Sequence, residues 1–247
     1  MPENNSSDKK DTVYASPMTS VGAFKFDENV ADVFTDMIER SVPGYGLVLQ
    51  LIGLLAERYA QESTNVYDLG CSLGASTLQL RRHIPASCHA IGVDNSAAMV
   101  ERCRSNMGRD HSAATCEILE QDIRDTEFSN ASVIILNFTL QFIDDDERQT
   151  ILNRMYEGLN DGGIILLAEK VRFDDEDKQT LMTDLHHDFK KLQGYSDLEI
   201  AQKRAAIENV LVPNSEALHL ERLNTAGFAT VMRCMHCLNF SAFLGIK

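Results

Sequence analysis

Glycine and acid spacing in the first half of the chain is that of a nucleotide-handling site. The segment Val66-Tyr67-Asp68-Leu69-Gly70-Cys71-Ser72-Leu73-Gly74-Ala75-Ser76-Thr77 reads as a buried strand, a glycine-bearing turn and the start of a helix. Gly70 and Gly74 suit a tight turn that brings backbone close to a ligand, because glycine lacks a Cβ and tolerates positive φ. A second apolar run, Ile91-Gly92-Val93, ends in Asp94-Asn95, which places the acid 24 residues past Gly70. A carboxylate there can accept hydrogen bonds from both hydroxyls of a ribose. Asp122-Ile123 closes a third run and Asn137 a fourth. Together these point to an adenosine-containing ligand held in the crevice beyond the strand ends. A cap that satisfies loose N–H groups is the alternative for each acid taken singly.

Two other readings of the same turn compete. A nicotinamide fingerprint needs a second glycine where this chain has Ser72, so the spacing is G-x-S-x-G. That pattern also spells a hydrolase nucleophile, which would need an acid and a histidine later in the chain. No later histidine is marked as a base by its surroundings.

The elements that must position these residues follow from periodicity. Apolar spacing predicts a helix over residues 28–40 (Val30, Val33, Phe34, Met37, Ile38) and another over Tyr45–Tyr59, with Ser41-Val42-Pro43-Gly44 as the turn between them. Helices over Ala75–Arg82, Ala97–Met107 (Ser96 as N-cap), Glu147–Gly158 and Ser215–Thr225 alternate with strands. The strands are those opening at Val66, then 88–94, 116–119, 132–137 and 164–168, the last preceded by a turn at 160–163. Two late strands, 230–234 and 238–246, read as an antiparallel hairpin. The expected fold is therefore α/β: a doubly wound, mostly parallel, seven-stranded, Rossmann-like sheet with N-terminal helices. Near-continuous apolar strands such as Val133-Ile134-Ile135-Leu136 fit a sheet covered on both faces. Residues 174–209 break the alternation; they are strongly charged, read as helices with a break at Gly194-Tyr195-Ser196, and form a candidate lid. Residues 1–12 are expected as a disordered arm and 13–247 as one domain.

Composition narrows the partners. A net charge of −14 sets the bulk field against a polyanion, so a small molecule is expected rather than direct contact with nucleic acid. No apolar run approaches the ~20 residues of a membrane span, and the polar N-terminus lacks the apolar stretch of a secretory signal. The six cysteines show no secreted disulfide spacing, so reduced thiols and a cytoplasmic setting are expected. Cys234-Met235-His236-Cys237 spells C-x-x-C, yet no second half completes four ligands, and in a regular strand the two cysteines point to opposite faces. No metal site is expected.

The acid-before-glycine form Asp68-x-Gly70-x-Ser72-x-Gly74 resembles the first motif of the class I S-adenosylmethionine (SAM) methyltransferase fold. Longer segments narrow the likeness: Ser41-Val42-Pro43-Gly44-Tyr45, Tyr67-Asp68-Leu69-Gly70-Cys71-Ser72, Leu136-Asn137-Phe138-Thr139-Leu140-Gln141-Phe142, and Gly194-Tyr195-Ser196 continuing through Leu198-Glu199-Ile200 to Gln202-Lys203-Arg204. From about Asp11 onward the chain resembles the carboxy-S-adenosyl-L-methionine synthase family. The resemblance implies an enzyme that converts SAM and prephenate to carboxy-SAM and phenylpyruvate, for use by a separate tRNA carboxymethyltransferase at wobble uridine. It implies that Tyr45, Gly70, Cys71, Ser72, Asp94, Asn95, Asp122, Ile123 and Asn137 contact the nucleoside and amino-acid parts, and that Arg204 pairs with the added carboxylate. It also implies a homodimer.

The residues make chemical sense of that role. A guanidinium offers a planar fork matched to a carboxylate; otherwise Arg204 would serve a surface pair with Glu208. Prephenate is a dianion, so a local positive pocket is needed, with Lys170, Arg172, Lys203 and Arg204 as contributors. Water exclusion by the 174–209 insertion would protect a reactive carbon. No side chain stands out as the base, and His186 and His187 are candidates only by their place in the insertion. A SAM-dependent small-molecule methyltransferase and a SAM-binding regulator without turnover are the alternatives.

Overall fold

The computed structural model describes residues 9–247. Of the arm expected over 1–12, residues 1–8 lie outside the described residues and 9–12 are described. Asp11 is only 2% exposed and accepts the Tyr195 hydroxyl proton at 2.5 Å.

The N-terminal helical stretch is divided. Glu28–Ala31 (α1) and Phe34–Ser41 (α2) replace the single helix expected over 28–40. Val33 sits at φ −123°, outside helical geometry, and interrupts the run while its apolar neighbours still pack inward. Gly44, at φ 85°, starts Tyr45–Tyr59 (α3). The alternation then runs Asn65–Leu69 (β1), Ala75–His83 (α4), His89–Asp94 (β2), Ala97–Arg109 (α5), Thr115–Glu120 (β3), Ala131–Asn137 (β4), Arg148–Gly158 (α6) and Leu159–Arg172 (β5). Ser96 caps α5 as expected, accepting the Met99 N–H at 3.3 Å. The turn expected at 160–163 survives as an irregularity inside β5: Leu159 pairs with Ala131 and Ile164 with Val133, so the residues between loop out.

Glu176–Leu192 (α7) and Asp197–Ile207 (α8) form the insertion, separated at the expected Gly194-Tyr195-Ser196 break. Ser196 closes a capping box with Glu199, which explains why the chain restarts as a helix there. The two-residue Asn214–Ser215 (β6), Glu216–Ala226 (α9), Thr230–Cys237 (β7) and Phe240–Ile246 (β8) complete the chain. The sheet order is β3-β2-β1-β4-β5-β8-β7, with β6 beside β5 as an eighth, unanticipated strand. β8 is antiparallel to both β5 and β7, and the other pairs are parallel.

Alternate residues of the strands feed two cores. Val66, Val133, Ile135, Ile164 and Leu166 pack under α3 and α4; Tyr67, Leu69, Ile134, Leu136, Ile165 and Leu167 pack on the opposite face with α6 and α9. That period of two, buried on both sides, is why these strands read as unbroken apolar runs. The order reverses between β1 and β4, so the carboxyl ends of those two strands flank a crevice.

In β7 the register slips at Cys234. This bulge overturns the expected alternation, and Cys234 and Cys237 both lean on the same core.

Candidate active site

The turn after β1 is held open by two glycines in left-handed conformations, Gly70 at φ 75° and Gly74 at φ 89°, with Ser72 between them at φ 50°. A Cβ added to Gly70 would fall 2.4 Å from Thr139 Oγ1. That hydroxyl donates to the Leu69 carbonyl at 2.8 Å and ties the β4 loop to the turn. Asp68, buried one step earlier, accepts the Thr77 hydroxyl at 2.6 Å. Its other oxygen has no hydrogen-bond partner among the described residues, and burial pushes the carboxyl up to about 7.

Asp94 accepts the Ser72 N–H through one oxygen and the Ser96 N–H through the other, both at 2.9 Å. The first of these bonds holds Ser72 in its unusual conformation. Each oxygen retains a second lone-pair site, enough for two ligand hydroxyls. Burial raises its carboxyl above the ordinary range.

Asp122 is more engaged than its sequence position suggests. It caps the 3-10 turn at Ile123–Asp125, and the Arg124 side chain donates to both its oxygens, at 2.9 and 2.8 Å. The Arg124 guanidinium holds its carboxyl below the usual range.

Asn137 ends β4 with its amide donating to Ser76 Oγ at 3.0 Å. Its Oδ1 is buried and unpartnered among the described residues. The loop that carries it bends through Phe138 at φ 63°. It is fastened by Glu169, whose two oxygens accept the Leu140 and Gln141 N–H groups at 2.9 and 3.0 Å. Glu169 is fully buried, which pushes its carboxyl up to about 8.

All ten residues expected at the site line one cavity of about 600 Å³: Tyr45 from α3, Gly70, Cys71 and Ser72 from the turn, Asp94 and Asn95 after β2, Asp122 and Ile123 after β3, Asn137 after β4, and Arg204 from α8. Arg204 does not pair with Glu208, and no acidic side chain of the described residues lies within ion-pair distance of it. The lid supplies much of the remaining wall, including His186 and His187. His186 lies 2.8 Å from the Ser41 carbonyl through Nε2, which must therefore carry the proton. Burial pushes it down to about 2, so it is neutral and that nitrogen is spent.

The turn presents no activated nucleophile. Ser72 Oγ faces Met99 Sδ at 3.4 Å rather than a histidine. The Cys71 thiol is held protonated by its hydrogen bond with Cys103 and by burial.

Of the expected positive contributors, Lys170, Lys203 and Arg204 reach the cavity. Arg172 instead lies 3.7 Å from Asp174, outside the lining. Lys190 of α7 was missed; it follows His187 by three residues, so helical spacing puts both on one face. Asn239, in the turn between β7 and β8, was missed too; it is 2% exposed and its Oδ1 is unpartnered among the described residues. Glu169 was hidden because an apolar strand was expected to stop at Ala168.

A family profile described as a methyltransferase domain matches residues 66–163. The carboxy-S-adenosyl-L-methionine synthase of Hahella chejuensis is 55% identical over 247 residues, covering 98% of this chain and all of that one. The enzyme of the same name from Vibrio cholerae is 51% identical over 239 residues, covering 96% of this chain and 97% of its own. Among solved structures, an O-methyltransferase family protein from Burkholderia thailandensis superposes with a TM-score of 0.66 at 15% identity, over 89% of this chain and 59% of that one. Human N-acetylserotonin methyltransferase in complex with SAM gives 0.61 at 18% identity, over 89% of this chain and 55% of its own. Those two likenesses establish the fold. The residues present fit SAM: a turn that only glycine can make, two acids at adjacent strand ends and an unpartnered Asn137 oxygen surround a cavity of its scale. The chain belongs to the carboxy-S-adenosyl-L-methionine synthase family, a transferase whose substrate is SAM and whose product is carboxy-SAM.

Proposed function

We propose that the carboxyl donor is prephenate, that phenylpyruvate is the co-product, and that the carboxy-SAM formed serves a separate enzyme that carboxymethylates wobble uridine in tRNA. The observation that carries this reading is Arg204: a guanidinium on the lid, facing the SAM cradle, with no acidic partner among the described residues. A carboxylate on the former methyl carbon is a complementary occupant.

In the proposed reaction prephenate loses carbon dioxide and hydroxide to give phenylpyruvate. The hydroxide takes a proton from the SAM methyl group, acidified by the adjacent sulfonium, and becomes water. The carbanion left attacks carbon dioxide, forming the C–C bond to the new carboxylate. Prephenate and SAM thus give phenylpyruvate, carboxy-SAM and water, with charge balanced and no external oxidant. No protein base is needed, in keeping with a cavity whose His186 has Nε2 committed to the Ser41 carbonyl and its basicity lowered by burial. The turn, Asp94-Asn95, Asp122-Ile123, Asn137 and Tyr45 hold SAM, while α7 and α8 keep water from the carbanion.

The test is incubation with SAM and prephenate followed by mass analysis. A SAM species heavier by one carboxyl group, with phenylpyruvate released well beyond one equivalent per chain, is the expected result. Recovery of the demethylated product without a carboxylated species returns the chain to ordinary methyl transfer, and recovery of unchanged SAM alone points to a regulator. None of the described helices is long and apolar enough to cross a membrane; a cytoplasmic homodimer is part of the proposal, and sedimentation checks the dimer.

A further inference from the structure

The cations of the cavity divide into two kinds. Lys203 is already engaged, donating to Ser41 Oγ at 3.0 Å and lying 3.9 Å from Asp11. Lys170 and Lys190 have no side-chain hydrogen bond or ion pair among the described residues, although both are partly buried. They come from separate elements, the end of β5 and the last turn of α7. The β7–β8 turn adjoins Lys170: this lysine pairs with Phe240 across the sheet, and the Asn239 carbonyl accepts the Val171 N–H at 2.8 Å. Asn239 therefore sits beside Lys170, with its side-chain oxygen buried and unpartnered. Phe240, whose ring meets His186 edge-on at 5.1 Å, forms an apolar floor next to these polar groups.

An unpartnered buried acceptor and two unpaired ammonium groups are costly to keep without an occupant. Their electrostatics agree. Burial, then the charges of Lys203, Lys170 and Arg204, push the Lys190 ammonium down to about 7. Burial and Arg204 also lower Lys170. Other cations dominate the charges acting on both lysines.

We infer that Lys170, Lys190 and Asn239 form a second anion subsite, distinct from Arg204, which binds the carboxyl-donating co-substrate as a hydroxylated carboxylate. The two ammonium groups take carboxylate oxygens, Asn239 Oδ1 accepts from the ligand hydroxyl, and the Phe240 ring carries the apolar part. Arg204 remains available for the carboxylate on the product. The inference rests on the proposed donor reading, whose substrate it places.

The test is steady-state kinetics of the full chain with SAM and prephenate, alongside calorimetric titration of SAM. Lys190→Met and Lys170→Met are each expected to raise the KM for prephenate about ten- to hundredfold, the range for a lost charged hydrogen bond, and to leave the SAM Kd within about twofold. Lys190→Arg, which keeps the charge, should retain most of the affinity, and Arg172→Met, outside the cavity, should behave as wild type. Unaltered SAM binding shows that a variant has folded. If wild type turns over prephenate and both methionine variants keep its KM, the subsite is wrong and the donor reading stands. If wild type neither binds nor converts prephenate, the donor reading falls and takes the subsite with it.

Discussion

Replacing Gly70 with alanine tests whether the turn and the β4 loop form one unit. At φ 75° an alanine costs roughly 1–2 kcal/mol relative to glycine. Its Cβ would also lie 2.4 Å from Thr139 Oγ1, 2.5 Å from Cγ2 and 3.0 Å from Cβ, so Thr139 must move. Displacing it breaks the buried hydroxyl bond to the Leu69 carbonyl, about 0.5–1.5 kcal/mol, and adds overpacking of about 1 kcal/mol or more. Gly70→Ala should therefore lose about 3–4 kcal/mol of stability in urea titrations, within the ~5–15 kcal/mol of a typical domain. Thr139→Ala removes the two nearest atoms and should cost about 1 kcal/mol alone. The double variant should then fall short of the summed losses by about 1–2 kcal/mol, because the overlap is relieved while the φ strain stays. SAM affinity, read by calorimetry, should drop about tenfold in Gly70→Ala as Asn137, two residues from Thr139, is shifted. Additivity within about 0.5 kcal/mol would refute the contact-based reasoning.

Arg204→Ala should weaken carboxy-SAM about tenfold more than SAM, the low end for a charged hydrogen bond because Arg204 is exposed; equal losses in a competition titration would remove its product-binding role. Glu169→Gln should cost about 1–3 kcal/mol, since an amide NH2 would have to face one of two N–H donors now served by carboxylate oxygens; an unchanged urea midpoint would count against the clamp. His186→Gln tests pH linkage. The folded His186 is pushed down to about 2, below its ordinary 6.5, so the unfolded chain binds the extra proton and the native state loses roughly 1 kcal/mol between pH 7.5 and 5.5. Asp68 and Glu169, raised by burial, work in the opposite sense over that interval. The readout is therefore the difference between wild type and variant, and a pH-independent difference would refute the assignment.

The site was more legible than the lid because strand ends announce themselves. Apolar runs ending in Asp94, Asp122 and Asn137 locate three carboxyl ends of a parallel sheet, and the glycine spacing locates the fourth. Tyr45 and Arg204 were found only through longer family segments, because their neighbours in space come from distant parts of the chain. Asp11, Glu169 and Lys190 escaped for the same reason. The burial of Asp11 depends on Tyr195, that of Glu169 on backbone groups of the β4 loop, and Lys190 matters only once α7 covers the strand ends. The bulge at Cys234 is likewise set by pairing with β8, which local alternation cannot register.

The segment before α1 is laced to α8. The Gln202 amide donates to the Tyr14 carbonyl at 2.8 Å and to the Ser16 carbonyl at 3.0 Å, its oxygen accepts the Met18 N–H at 2.7 Å, and the Phe24 N–H donates to the Ala206 carbonyl at 2.9 Å. A helix tied at that many points is ordered when the chain folds rather than when ligand arrives. The entropy of organising the cavity mouth is then charged to the stability of the protein and not to each binding event, so affinity is retained in full. Residues near the N-terminus that touch no ligand thereby share in holding the helix that carries Arg204.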